Sequence, residues 1–128
     1  MDTTAHEQRI RSIIDAYARA VNGADADLLE SLFWTDDPRF LEVENDRDEP
    51  FGAEEFHEVA DWIRQHAKPG EKQRFYDTKV HILSPDVAYS GSMRDELEDG
   101  KTSRVTLVYL KKGDQWRVIH GHFSYVPD

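Results

Sequence analysis

The chain has 128 residues, and its 26 acidic against 16 basic side chains give a formal net charge of −10 at pH 7. A chain of this length forms one domain, which we expect to span residues 1–128. The negative charge repels phosphate backbones and anionic lipid surfaces, which argues against a nucleic-acid or membrane partner. Cysteine does not occur, which excludes disulfides, thiol nucleophiles and cysteine-ligated zinc.

The amino-terminal segment is polar, and the sequence contains no run of about 18 apolar residues. No signal peptide is visible, because the apolar stretch of such a peptide is missing. We therefore expect a cytoplasmic protein.

A first helix is predicted at the start of the chain. Thr4 and Glu7 have the spacing of a capping box, and apolar residues then recur at helical spacing up to Val21. Asn22-Gly23 is a typical stop, because glycine adopts the left-handed conformation at little energetic cost.

Two further helices and a short strand follow. Asp25 is placed to cap a second, shorter helix. This helix should end in the segment before Pro38, because proline cannot donate the next helical hydrogen bond. Alternating apolar and acidic residues predict a strand over 40–44. Helical spacing returns over 52–67 and stops at Lys68-Pro69-Gly70.

The second half has the two-residue period of strands. Strands are predicted over 74–83, 87–97, 102–111 and 115–126. Asp99-Gly100 predicts a two-residue type I′ hairpin, and Gly113-Asp114 predicts a second two-residue turn. Three helices and one strand followed by a four-stranded meander indicate an α+β fold.

The strand over 102–111 is apolar on both faces. Val105, Leu107 and Tyr109 lie on one face, and Thr106, Val108 and Leu110 lie on the other. One face should pack on the helices, and a second subunit is the simplest cover for the other. We therefore expect a homodimer through the outer face of the sheet; the alternative is a monomer whose outer face is partly apolar.

Three stretches resemble a known superfamily: DAYARAVNGADAD over 15–27 with LFW over 32–34, PRFLEVEND over 38–46, and WRVIHGHFS over 116–124. They are similar to SnoaL-like domains of the nuclear transport factor 2-like, cystatin-like superfamily. The last stretch also resembles the association domain of calcium/calmodulin-dependent kinase II. The resemblance implies a cone-shaped molecule in which three amino-terminal helices pack in a strongly curved, mostly antiparallel sheet and enclose a ligand pocket. It leaves function open, because this fold supports isomerases, cyclases, dehydratases, hydrolases and association modules.

Tyr17 and Glu42 are the candidate catalytic residues. Tyr17 lies on the apolar stripe of the first helix, so its hydroxyl should point inward, where it could donate to a developing oxyanion. The resemblance to ketosteroid isomerase places the oxyanion-binding tyrosine here, in a similar stretch from Tyr17 to Asn22, and places the general base near Glu42. The alternatives are a core tyrosine bonded to a backbone carbonyl and a solvated glutamate.

Arg104 and Thr106 are candidate ligand-binding residues. The third isomerase element, a protonated aspartic acid, is missing, and Thr106 or Val108 takes its place. Arg104 could bind a carboxylate or enolate with its planar guanidinium. The alternative is a cross-strand pair with Asp95, which a two-residue hairpin would place opposite Arg104.

Aromatic residues could complete the pocket. Trp34, Trp62 and Phe123 offer stacking surface for a ligand ring, although each could equally be plain core. His120 and His122 share a strand face, a spacing that some metal sites use. The resemblance directs both outward, to the dimer side, so we predict neither a metal nor a cofactor.

Two functional hypotheses follow. The first is a small-molecule-binding SnoaL-like protein of unknown substrate; if it is an enzyme, cofactor-free acid-base chemistry such as isomerisation, cyclisation or dehydration is expected. The second is a non-catalytic association module that dimerises through its sheet.

Overall fold

In a computed structural model that describes residues 2–127, three helices pack against one curved, five-stranded sheet. The elements in chain order are α1 Thr4–Asn22, α2 Ala26–Ser31, β1 Leu41–Val43, α3 Ala53–His66, β2 Gln73–Ser84, β3 Val87–Glu96, β4 Lys101–Lys112 and β5 Gln115–Tyr125. The strand order is β1-β5-β4-β3-β2, with β1 parallel to β5 and every other pair antiparallel. The predicted α+β class and the meander are confirmed.

The ends of α1 differ from the prediction. The residue before the helix is Thr3 rather than Thr4, and its side chain makes no capping hydrogen bond. At the other end Gly23 has φ −88°, and it is Ala24 that takes the left-handed conformation, with φ 52°. Glycine is still favoured at position 23, because a Cβ there would lie 2.9 Å from the Arg19 carbonyl oxygen.

Side-chain hydrogen bonds fix the start of α2 and the point at which α1 meets the sheet. The Asp25 carboxylate accepts from the Leu28 N–H at 3.0 Å, so the predicted cap of α2 is confirmed. The Asn22 amide oxygen accepts from the Lys72 and Gln73 N–H groups, each at 2.9 Å. Its amide nitrogen donates to the Gln73 carbonyl at 3.1 Å, which ties the end of α1 to the start of β2.

One of the two predicted hairpins is confirmed and one is wrong. Lys112 pairs with Gln115 across a two-residue turn in which Gly113 has φ +59°. Between β3 and β4, however, Glu96 pairs with Lys101 across a four-residue loop. That loop is closed by a hydrogen bond from the Gly100 N–H to the Glu96 carbonyl, and it leaves Arg104 opposite Met93 rather than Asp95.

The inner face of the sheet packs on the helices and forms the core. On β4 it carries Val105, Leu107 and Tyr109, all buried, whereas Arg104 and Thr106 are exposed on the outer face. The alternation follows from burial: Val105, Leu107 and Tyr109 pack against the helices, whereas the Arg104 guanidinium and the Thr106 hydroxyl stay hydrated.

The outer face is mixed in character. Tyr89 and His122 are exposed, while Val108 and Leu110 are half-buried. His120 is half-buried, and its Nδ1 lies 2.8 Å from the Leu41 carbonyl oxygen. No helix among residues 2–127 is both long and apolar enough to cross a membrane.

Candidate functional site

A cavity of about 330 Å³ lies between the helices and the inner sheet face, which is within the size range of small-molecule pockets. Its apolar wall comes from α1, α2, α3 and the loop before α3, and its polar wall comes from β1, β2, β3, β5 and the segments that follow β1 and β3. The lining residues are Tyr17, Val21, Leu29, Glu42, Glu44, Asp46, Arg47, Phe51, Phe56, Val59, Ile63, Gln73, Arg94, Glu96, Asp99 and Tyr125.

Glu42 is the most unusual of these residues. It sits at the centre of β1, where its backbone N–H and C=O each bond to Phe51 at 2.9 Å, while the strand itself pairs with β5. Its side chain is only 2% exposed, and neither carboxyl oxygen has a hydrogen-bond partner. Burial and the nearby Glu44 carboxylate raise the pKa of Glu42 from 4.5 to about 8, against the opposing effect of Arg94.

Gly121 makes room for this carboxyl group. It is the residue of β5 that pairs with Glu42, and a Cβ added to it would lie 2.6 Å from Glu42 Oε2. A side chain here would collide with the carboxylate. The glycine therefore allows the Glu42 side chain to lie flat over β5.

Arg94 is the buried cation of the cavity. It lies on the inner face of β3, is 2% exposed, and donates to Glu96 Oε1 at 2.9 Å and to Ser103 Oγ at 3.3 Å. Its guanidinium stands 4.4 Å over the Phe123 ring and 3.9 Å from the Glu44 carboxylate. Its Nε has no hydrogen-bond partner.

Glu44 completes the charged group. Burial raises its pKa to about 7, because desolvation outweighs the attraction of Arg94. Glu96 in turn accepts from the Tyr125 hydroxyl at 3.3 Å. The polar wall thus holds two carboxyl groups whose protonation changes near neutral pH.

Sequence reasoning missed Arg94, although a signal was present. Arg94 shares its strand face with Ala88, Ser90 and Ser92, three small residues that leave space beside them. Its partner in register is Ser103, which continues the buried face of β4. A correct length for the β3–β4 loop would have placed the arginine opposite a buried serine, on the inner face.

Tyr17 reaches the cavity from α1. Its ring packs edge-on against Phe33 and Phe75, at centroid distances of 5.7 and 5.5 Å. Within residues 2–127 its hydroxyl makes no hydrogen bond, so the alternative of a core tyrosine bonded to a backbone carbonyl does not hold. Burial, together with Glu44 and Glu42, raises the pKa of Tyr17 far above its usual range, so the hydroxyl stays protonated and can donate.

The structure places Arg104 and Thr106 away from the cavity, which corrects their expected role. Both are exposed on the outer face of β4, where the Arg104 guanidinium donates to the Tyr125 carbonyl at 3.0 Å. The inner positions of this strand belong to Val105 and Leu107, because apolar side chains pack against the helices. The ion pair of Arg104 with Asp95 is also wrong, since Asp95 pairs with Thr102 and accepts from Arg74.

The two tryptophans likewise lie outside the cavity lining. Trp62 is 59% exposed and stacks at an angle on His66 of the same helix. Trp34 is buried, but its indole N–H donates to the Leu110 carbonyl at 2.8 Å and its ring is covered by Lys112 and Arg117. Trp34 is thus part of the apolar core, whereas Trp62 lies on the surface of α3.

Phe123 is on the inner face of the sheet, as predicted, and supports two residues that line the cavity. It is 1% exposed and contacts the Tyr17 ring on one side and the Arg94 guanidinium on the other. Phe123 therefore forms the floor beneath two lining residues rather than the lining itself. Among the described residues no three His, Asp or Glu side chains are grouped as metal ligands, and His120 and His122 are on the opposite face of the sheet.

Helices on one side of a five-stranded sheet with β1 parallel to β5, and a cavity between the two layers, make an α+β fold that matches solved NTF2-like proteins. A profile described as a SnoaL-like domain matches residues 10–128, so the chain belongs to the SnoaL-like domain family. A comparison with curated protein sequences finds none that matches.

Solved structures with the same fold are numerous. An NTF2-like protein of unknown function from Pseudomonas putida KT2440 is 21% identical, with a TM-score of 0.78 over 98% of this chain and 89% of that one. An NTF-2 like protein of unknown function from Silicibacter pomeroyi DSS-3 is 18% identical, with a TM-score of 0.77 over 98% and 100%. The association domain of CaMKII from C. elegans is 19% identical, with a TM-score of 0.74 over 94% and 96%. At these identities the likeness shows the fold.

Proposed function

We propose that this chain is a single SnoaL-like domain that binds a small molecule in the cavity and moves a proton on it without a cofactor. The observation that carries the proposal is Glu42, whose buried carboxyl group lines the cavity with no hydrogen-bond partner. A buried carboxyl left unpaired is costly to the fold, and such groups are typical of sites where a ligand completes the bonding.

The chemistry that this arrangement supports is proton transfer next to a carbonyl. Tyr17 would donate a hydrogen bond to the carbonyl oxygen, which stabilises the enolate that forms when a neighbouring carbon loses its proton. Glu42 in its ionised form would take that proton and return it at another carbon or to a leaving group. Isomerisation, cyclisation and dehydration all share this step.

A carboxyl with a pKa near 8 suits this role. At neutral pH it is a stronger base than an ordinary glutamate once ionised, and its protonated form can return the proton. Arg94 lies beside Glu44 on the same wall. Its positive charge would stabilise the negative charge that moves between Glu42 and the substrate during the proton transfer.

Hydrogen exchange tests the proposal without knowledge of the natural substrate. The protein is incubated in D₂O with cyclic ketones, starting from cyclohexanone, and loss of the protons next to the carbonyl is followed by NMR. We expect exchange above the protein-free rate, a return to that rate in Glu42→Gln, and a loss of about a hundredfold in Tyr17→Phe.

Matched variants on the surface serve as controls. Glu58→Gln changes an exposed glutamate of α3, and Tyr89→Phe changes an exposed tyrosine of the outer sheet face. Both should exchange at the wild-type rate. Exchange that persists in Glu42→Gln would remove Glu42 from the chemistry, and no acceleration by the wild-type protein across the ketones would refute the acid-base proposal.

The second candidate function is association of identical chains. It is favoured by the likeness to a kinase association domain and by the partly apolar outer face around Tyr89, Val108 and Leu110. In that case a homodimer forms through the outer sheet face, and Val108→Asp should dissociate it. Sedimentation equilibrium at micromolar concentration tests this, and a wild-type monomer would contradict it.

A further inference from the structure

The charged side chains that line the cavity are mostly acidic. Five carboxyl groups and two guanidinium groups line it: Glu42, Glu44, Asp46, Glu96 and Asp99 against Arg47 and Arg94. Asp46, Asp99 and Arg47 are exposed at the rim, where water screens them. The decisive charges are those deeper in the cavity.

Among the deeper groups the single cation is already engaged in part. The Arg94 guanidinium bonds to Glu96 and Ser103 through one amino group and stands over the Phe123 ring, while its Nε has no partner. A second anion at this guanidinium would have to share the space with Glu96 and Glu44. An anionic ligand is therefore disfavoured by charge.

Glu42 supplies independent evidence that the cavity favours a positively charged ligand. It is 2% exposed, faces the cavity, and both of its oxygens are unpartnered, so in its ionised form it offers only acceptors to anything that enters. A second carboxyl, Glu44, lies two residues further along the chain on the same wall. Two acceptor groups that repel each other are stabilised by a ligand that brings donors and positive charge.

The opposite wall is suited to the rest of such a ligand. Phe51, Phe56, Val59 and Ile63 form an apolar surface. The Arg47 guanidinium already stands 4.7 Å over the Phe51 ring, which leaves Phe56 as the aromatic ring that could attract a ligand cation. The cavity volume fits a molecule with about one ring. An organic cation would place its hydrocarbon on this wall and its N–H groups on the acidic wall.

We propose that the ligand of this cavity is a small organic amine, whose ammonium group lies against the Glu44 carboxylate beside Glu42 and whose hydrocarbon part lies against α3. The inference deepens the proposed function by naming the substrate class of the same cavity, and it rests on that cavity being the ligand site.

Three probes of equal shape and different charge test it by isothermal titration calorimetry at pH 7: cyclohexylamine, cyclohexanol and cyclohexanecarboxylate. We expect the amine to bind at least tenfold more tightly than the alcohol and the carboxylate to bind more weakly than either. Equal affinity for amine and alcohol would overturn the inference, because the cavity would then select hydrocarbon alone. Preference for the carboxylate would overturn it in favour of an anion held by Arg94.

Proton release gives a second readout. The raised pKa values of Glu42 and Glu44 mean that part of each is protonated at pH 7, and a bound ammonium favours the ionised forms. Titrations of cyclohexylamine in phosphate and in Tris, which differ in ionisation enthalpy, should show release of up to about one proton. Tight binding without proton release would place the ammonium away from both carboxyls and contradict the assignment. The other titratable or charged groups that line the cavity are Tyr17 of α1, Arg94 and Glu96 of β3, Tyr125 of β5, and Asp46, Arg47 and Asp99 of the loops.

A variant distinguishes the contribution of the acidic wall to ligand affinity from that of the apolar wall. Glu44→Gln should lower the affinity for cyclohexylamine at least tenfold and leave that for cyclohexanol unchanged, while Glu58→Gln on the surface should change neither. If Glu44→Gln fails to fold, the three-probe comparison on the wild-type protein still decides. The outcome is also distinct from that of the exchange assay: amine binding without ketone exchange refutes the acid-base chemistry alone, and exchange without amine preference refutes this inference alone.

Discussion

Replacing Glu42 by glutamine should change how the stability of the protein depends on pH. In the folded protein the pKa of Glu42 is raised to about 8, whereas in the unfolded chain it returns to about 4.5. Between these values the folded state holds a proton that the unfolded state has lost. The free energy of unfolding therefore contains a contribution that is fully present below pH 4.5 and is lost as the pH rises through 8.

The size of this effect follows from the two pKa values. Each pKa unit corresponds to about 1.4 kcal/mol, so the shift of Glu42 amounts to about 5 kcal/mol over the whole titration and about 4 kcal/mol between pH 5 and pH 9. Glutamine has nearly the same shape and does not ionise. We therefore expect Glu42→Gln to gain about 4 kcal/mol relative to the wild type between pH 5 and pH 9. The shift of Glu44 is present in both proteins and largely cancels.

Urea unfolding followed by circular dichroism, at five pH values from 5 to 9, measures this difference directly. Glu58→Gln serves as the control, and its curve should run parallel to that of the wild type. A difference between Glu42→Gln and wild type that stays constant within about 1 kcal/mol across this range would refute the reasoning. It would mean that the carboxyl is hydrated or paired in solution.

Three further substitutions test how the cavity and the first helices are held. Gly121→Ala should displace the Glu42 carboxyl, lower the free energy of unfolding by about 1–3 kcal/mol in urea and slow ketone exchange measured by NMR. Exchange at the wild-type rate would contradict the close approach of Gly121 to Glu42. Arg94→Met should destabilise by about 3 kcal/mol at pH 8, because Glu96 loses its partner, and a neutral effect on urea unfolding would argue against the pair. Asp25→Ala should lower the thermal midpoint through a loss of about 1 kcal/mol, and Asp25→Asn should retain most of it; equal losses would exclude capping.

The strands were predictable almost to the residue because their limits are set by local chemistry. A two-residue side-chain period or a run of strand-forming residues marks each strand, and Gly113 marks a turn that requires a positive φ. The helices were predictable for the same reason, from their apolar spacing. The parts that failed were those in which two local signals compete, as at Gly23 and Ala24, where the neighbouring alanine took the left-handed conformation.

The site was predictable only where a single strand or helix decides the direction of a side chain. Tyr17 belongs to the apolar stripe of α1, and its place on the cavity follows from that stripe. Arg104 depended instead on which face of β4 meets the helices, and the apolar set that includes Val105 took that face. Arg94 could not be placed without the length of the β3–β4 loop, which Asp99-Gly100 suggested to be two residues shorter than it is.

The two hydrogen bonds between Glu42 and Phe51 close the chain between them into a loop whose ends are fixed. Residues 46–50 can therefore lengthen, shorten or change in sequence while the Glu42 carboxyl stays where it is. Asp46 and Arg47, which line the mouth of the cavity, belong to this loop. The fold thus places the mouth of the cavity on a segment separate from the strand that carries the buried acid, so the residues at the mouth can be re-engineered without moving Glu42.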